Sequence, residues 1–86
     1  VIGKNDPIAQ TNFIIDKIEA AVSSLGGSLS DIVRTRIFVK NIDDWKDIAE
    51  THGKRFKKIN PANTLVQANL VGEDYLVEIE AEAIIQ

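Results

Sequence analysis

The spacing of apolar positions changes several times along the chain, and each change marks an element. After Asp6-Pro7, core-type side chains recur at Ile8, Thr11, Ile14/Ile15, Ile18, Ala21/Val22 and Leu25. Steps of three and four place them on one face of an α-helix. Asp6 suits the N-cap, and Pro7 suits the first helical position, where a missing N–H is not needed. Gly26-Gly27 ends the helix, and Gly3-Lys4-Asn5 before it reads as a loop. Phe13 falls on the opposite side, beside Ala9 and Ala20. By spacing it is either a surface aromatic or a contact for another chain segment.

From Ile32 to Val39 the period drops to two. Val33, Thr35, Ile37 and Val39 share one face of a strand, and Ile32, Arg34, Arg36 and Phe38 share the other. Helical spacing returns with Trp45, Ile48, Ala49, His52 and Phe56, capped by Asp43 or Asp44 and stopped at Asn60-Pro61. A short strand follows over residues 64–69, a turn at Gly72-Glu73-Asp74, and a final strand over residues 75–85. In the last strand Val77, Ile79, Ala81 and Ala83 alternate with Glu78, Glu80 and Glu82. The order α-β-α-β-β predicts an α+β domain, one sheet with two helices packed on one face. Its other face carries Arg34, Arg36, Phe38 and the three glutamates, with ion pairs across strands.

Composition narrows the class. The 86 residues make one small domain, 1–86, of the size that is often completed by oligomerisation. The first residue is Val1 and the sequence holds no methionine. Val1-Ile2-Gly3 reads as the end of a strand, so residues before Val1, forming strands on an edge of the sheet, are expected. With no cysteine there is no disulfide frame, thiolate metal site or thiol nucleophile. The sequence has neither a secretory leader nor an apolar run of membrane-spanning length, and a cytoplasmic protein without membrane contact is expected. The net charge of −3 argues against nucleic acid as a partner. Lys54, Arg55, Lys57 and Lys58 form a basic run near a helix end, read as solvated surface that complements the helix dipole.

The candidate chemistry is sparse. His52 is the only histidine and sits in an apolar stripe, which reads as a packed structural residue. No second histidine shares a metal with it, and neither a metal nor another cofactor is expected. Ser23, Ser24, Ser28 and Ser30 have no base nearby in the pattern. The three glutamates are either a solvated ionic face or include one carboxylate placed in a cleft to hold water or move a proton. Their spacing does not choose among them. Asn60-Pro61-Ala62-Asn63-Thr64 is a turn into a strand, where polar groups can be held rigidly toward a cleft.

Four segments, in order, resemble the RidA/YjgF family, also called the L-PSP endoribonuclease family. Residues 6–25 are similar to its first helix, with Ala9-Gln10 early and Ile18-Glu19-Ala20-Ala21 late. Ser30 to Val39 is similar to its Asp-Val-Val-Lys-Thr-Thr-Val-Phe-Val strand. Pro61-Ala62-Asn63-Thr64 resembles its Pro-Ala-Arg-Ser turn, and Val77-Glu78-Ile79-Glu80-Ala81 its final strand. The resemblance implies a chorismate-mutase-like α+β fold with one mixed sheet. It also implies a homotrimer with small-molecule clefts between subunits, and hydrolysis of reactive enamines and imines. Carried over by position, Glu78 is the water-placing catalytic carboxylate, and Thr64 and Leu65 give backbone contacts. Asn63 stands where the family has the arginine that grips the substrate carboxylate. An amide lacks both the charge and the five-donor fork. Asn63 is therefore expected to donate from its amide, in one cleft with Glu78, to a ligand less acidic than an amino-acid imine. Three functions follow from the resemblance: a deaminase-like hydrolase, a non-catalytic trimeric metabolite-binding protein, and an endoribonuclease or translation inhibitor. The last is disfavoured by the net charge and by the lack of an evident acid–base pair.

Overall fold

The computed structural model describes residues 2–86. Among them are two α-helices, α1 (Pro7–Ser24) and α2 (Trp45–Arg55), and three strands, β1 (Ile32–Val39), β2 (Ala62–Gln67) and β3 (Val77–Ala83). The sheet order is β2-β1-β3, with β1 parallel to β2 and antiparallel to β3. Both helices pack on one face, which makes the domain α+β with a mixed sheet.

The local signals explain the ends of α1. Asp6 Oδ1 accepts the Ala9 N–H at 3.0 Å, and Pro7 opens the helix. At the other end, Gly26 N–H donates to Ser23 O and Gly27 N–H to Val22 O, both at 3.0 Å. This paired return needs a left-handed residue, and Gly26 supplies it at φ +88°. Gly26→Ala is expected to lower stability by roughly 1 kcal/mol, read as a reduced urea midpoint at unchanged slope.

The buried stripe of α1 differs at its ends from the spacing. Ile8 and Leu25 are exposed, while Gln10, Thr11, Ile15 and Val22 are buried. Gln10 lies inside because its amide is fully used. Its Nε2 donates to Asp74 O at 2.8 Å and Gly3 O at 3.2 Å, and its Oε1 accepts Leu76 N–H at 2.8 Å. Ile2 and Gly3 belong to a turn rather than a strand end; Val1 lies outside the described residues.

Two apolar clusters fill the space between helices and sheet. One joins Ile15, Val22, Ile32 and Phe56, the other Ile37, Val39, Ile48 and Val77. The inward face of β1 is Ile32, Thr35, Ile37 and Val39, not Val33, Thr35, Ile37 and Val39. A one-residue bulge explains this. Ile32 faces Ala83 and Arg34 faces Glu82, so Val33 is left over, and Val33 is exposed. On α2 the buried residues are Ile48, Thr51 and His52, whereas Trp45 stands half out of the surface. Neither Asp43 nor Asp44 caps this region through its side chain; Asn41 Oδ1 accepts the Asp43 N–H at 3.1 Å in the preceding 3-10 turn.

Arg55 has a specific task in this packing. Its guanidinium bonds Asp16 of α1 at 2.7 Å and the Asn12 carbonyl at 3.3 Å, and lies 3.8 Å from Glu19. It ties α2 to α1, while Lys54, Lys57 and Lys58 remain at the surface.

Candidate functional site

The pairing register decides which face each candidate residue occupies. On the open face, Arg34 lies opposite Glu82, Arg36 opposite Glu80 and Phe38 opposite Glu78. Arg36 Nη2 donates to Glu80 at 2.9 Å and lies 3.7 Å from Glu82. One guanidinium thus engages two of the three carboxylates. Glu78 forms no ion pair among the described residues, because the residue across from it is Phe38. This separates three residues that the alternating spacing makes equivalent.

Among the described residues, Glu78 also lines an open apolar groove of about 400 Å³ between α1 and the edge of β3 that no described strand pairs, beside Ile2. Phe13, Ile14 and Gln10 form its helix side, and Tyr75, Val77 and Ile79 its strand side. Phe13 is therefore a groove residue, with Lys17 Nζ 5.4 Å from its ring centre. The Gln10 amide holds the approach to β3 at Asp74 and Leu76 against α1, which sets the width of the groove.

The other candidates lie across the sheet. Asn63 is level with Thr35, Thr64 with Arg36 and Leu65 with Ile37. Asn63 and Leu65 consequently face the helices, while Thr64 faces outward with the ionic residues. Strand β2 pairs with β1 alone among the described residues, so half of its backbone groups point away from the sheet. Asn63 and Glu78 are on opposite edges and opposite faces, with β1 between them. Two interstrand spacings put about 10 Å between their strands. One copy of the chain therefore does not bring them onto a molecule a few atoms across, and a pocket that uses both needs two copies.

Asn63 is the outer member of a polar chain. Its Nδ2 donates to Thr35 Oγ1 at 2.9 Å, and Thr35 Oγ1 lies 2.9 Å from His52 Nε2. Thr35 is fully buried, His52 is 7% exposed, and Asn63 reaches the surface. The His52 ring also stacks on Phe56 with centres 4.6 Å apart. Burial removes solvation from the imidazolium and holds the His52 pKa below its usual value. The sequence pattern places Thr35 and His52 inside correctly. It carries no signal that their polar atoms meet, since they are 17 residues apart on different elements. Among the described residues no cluster of three or more histidine, aspartate or glutamate side chains could hold a metal ion, and no helix is long and apolar enough to cross a membrane.

Comparison with known proteins agrees with this architecture. Residues 1–85 match the family model described as Endoribonuclease L-PSP. A RutC family protein of Pyrococcus abyssi is 32% identical over 82 residues, 95% of this chain and 65% of that protein. The 3-aminoacrylate deaminase RutC of Acinetobacter baylyi is 34% identical over 83 residues, 96% of this chain and 66% of the enzyme. The chain thus spans about two-thirds of the length of these relatives. Among solved structures, a YjgF/YER057c/UK114 family member from Mycobacterium tuberculosis superposes with a TM-score of 0.90 at 41% identity. That match covers 93% of this chain and 69% of the other.

Proposed function

The chain belongs to the endoribonuclease L-PSP (RidA/YjgF) family, and from that premise we propose that it takes up a small neutral enamine or imine in clefts between copies and hydrolyses it. An enamine first becomes its imine by moving a proton from nitrogen to carbon, and water then adds to the carbon of the C=N bond. The carbon–nitrogen bond then breaks to leave a carbonyl compound and ammonia. Glu78 accepts a proton from the attacking water and returns it to the departing nitrogen. The outward backbone of Thr64 and Leu65 forms the opposite wall, and Asn63 meets the polar end of the ligand.

The observation that carries this reading is the state of Glu78. It is the strand-face carboxylate left free by Arg36, and it lines an apolar groove. The deaminase activity in the name of the Acinetobacter relative supports the same reaction class. The clefts require assembly, and a homotrimer with cyclic symmetry supplies three equivalent ones while covering the ionic sheet face. A monomer in sedimentation equilibrium at micromolar concentration contradicts this arrangement.

A second reading, a trimeric metabolite-binding protein without turnover, is favoured by one specific feature. The position that in the family carries arginine is Asn63, and one of its N–H groups is already given to Thr35. Ammonia release separates the two. The native chain is expected to hydrolyse an uncharged enamine faster than freshly generated 2-aminoacrylate. Asn63→Arg is expected to strengthen pyruvate binding by about 1–3 kcal/mol through a charge-assisted bond. Ligand binding without ammonia from any enamine would leave the binding protein as the function.

A further inference from the structure

We propose that the buried pair Thr35 and His52 sets which way round the Asn63 amide is held, so that Asn63 presents its carbonyl to the ligand and selects for an N–H group over a carboxylate. The choice of ligand end rests on the cleft reading above. The amide orientation stands without it.

The protons available to the three side chains fix the arrangement. A threonine hydroxyl has one proton to donate and can accept two. Thr35 Oγ1 has two partners among the described residues, His52 Nε2 and Asn63 Nδ2, each at 2.9 Å. The side chain is fully buried, so no water takes the hydroxyl proton. Asn63 Nδ2 can only donate, which makes Thr35 the acceptor in that bond. The hydroxyl proton then has a single destination, His52 Nε2. The imidazole must be neutral and carry its proton on Nδ1. Burial favours the neutral ring and so acts in the same direction. If Nε2 carried the proton instead, the hydroxyl would face donors on both sides, and its own proton would be unpaired in the core. Relief would come only by turning the amide over, so that Oδ1 faced Thr35. The tautomer of His52 and the orientation of Asn63 are therefore one property, transmitted through Thr35.

The outward consequence concerns recognition. With Nδ2 facing inward, Asn63 Oδ1 accepts no hydrogen bond from the described residues, and the side chain is exposed on an edge strand. A carbonyl oxygen there accepts from an imine N–H, an enamine amino group or a primary amide. A carboxylate brings only lone pairs to it and is left with one neutral donor, the Nδ2 proton that Thr35 does not take. Thr35 and His52 thus act as positioning residues for specificity, through Asn63.

Nitrogen-15 NMR of the assembled protein above neutral pH tests the orientation directly. His52 Nε2 is expected to lack a one-bond proton coupling while Nδ1 shows one. The Asn63 amide protons are expected to show a cross-relaxation peak to the Thr35 side chain. A one-bond coupling on Nε2 overturns the proposal. Recognition is tested with an isosteric pair, propionamide and propionate, followed at the Asn63 side-chain resonance. The native protein is expected to bind propionamide roughly tenfold more tightly, the equivalent of one good hydrogen bond. Thr35→Val leaves the amide free to turn and is expected to abolish that preference, whereas Thr35→Ser keeps the hydroxyl and is expected to retain it. Retention of the preference in Thr35→Val, or its absence in the native protein, overturns the specificity claim. If neither probe moves the Asn63 resonance while the His52 spectra are as expected, the cleft reading fails and the orientation is upheld.

Discussion

Glu78→Gln is expected to reduce enamine hydrolysis by about 10²–10⁴-fold, the usual contribution of a positioned general base, with little change in the urea midpoint. Glutamine keeps the size of the side chain and its place in the groove but cannot take a proton from water. Stability is spared because Glu78 forms no ion pair among the described residues and faces Phe38 across the sheet. The neighbouring carboxylates are the controls. Glu80→Gln removes the 2.9 Å bond to Arg36, but within a single copy this pair is more than one-third exposed on both sides. Such pairs contribute about 0–1 kcal/mol, and Glu82, 3.7 Å from the same guanidinium, can take over part of the role. Both controls are expected to retain activity. Equal losses from all three substitutions would mean that the ionic face acts as a whole, through assembly, and that Glu78 has no separate part in the chemistry. Initial rates of ammonia release, with sedimentation run on each variant, distinguish these outcomes.

His52→Ala is expected to lower stability by about 2–4 kcal/mol, combining a cavity beside Phe56 with loss of the acceptor for the buried Thr35 hydroxyl. His52→Phe fills the space but leaves the hydroxyl unpaired, so it is expected to fall between alanine and the native residue. The effect has a pH signature. The folded pKa of His52 lies below its unfolded value of 6.5 because burial disfavours the charged ring. Protons therefore bind preferentially to the unfolded chain. The stabilisation is fully present above 6.5 and is lost as pH falls toward and through the folded value. Stability curves of the native protein and His52→Ala, measured from neutral to mildly acidic pH, are expected to converge on acidification. Parallel curves would show that His52 is not the group responsible.

These two residues also show what could be read before the fold was known. The periodicity of Ile32 to Val39 and the Asp6-Pro7 and Gly26-Gly27 signals act through neighbours in the chain. β1 and the limits of α1 were accordingly legible from sequence, as were the α+β class and the inward placement of His52. Local pattern also put Glu78, Glu80 and Glu82 on one face of a strand. It could not separate them, because strand geometry treats alternate positions alike. Separation came from register, which sets Phe38 against Glu78 and Arg36 against Glu80. Register depends on pairing between segments some forty residues apart. The bulge at Val33 is of the same kind. An extra residue in one strand is defined only against its partner, so alternation within β1 assigned Val33 to the wrong face. Gln10 was hidden for a related reason. A polar residue reads as exposed until its carbonyl and N–H partners, at Gly3, Asp74 and Leu76, are brought around it. Asn63 could be matched to a family position from its turn alone. That its amide is committed inward, through Thr35 to His52, was decided by three elements meeting in space. Short-range sterics and periodicity wrote the elements into the sequence; side-chain pairing across the sheet decided which polar groups remain free for a ligand.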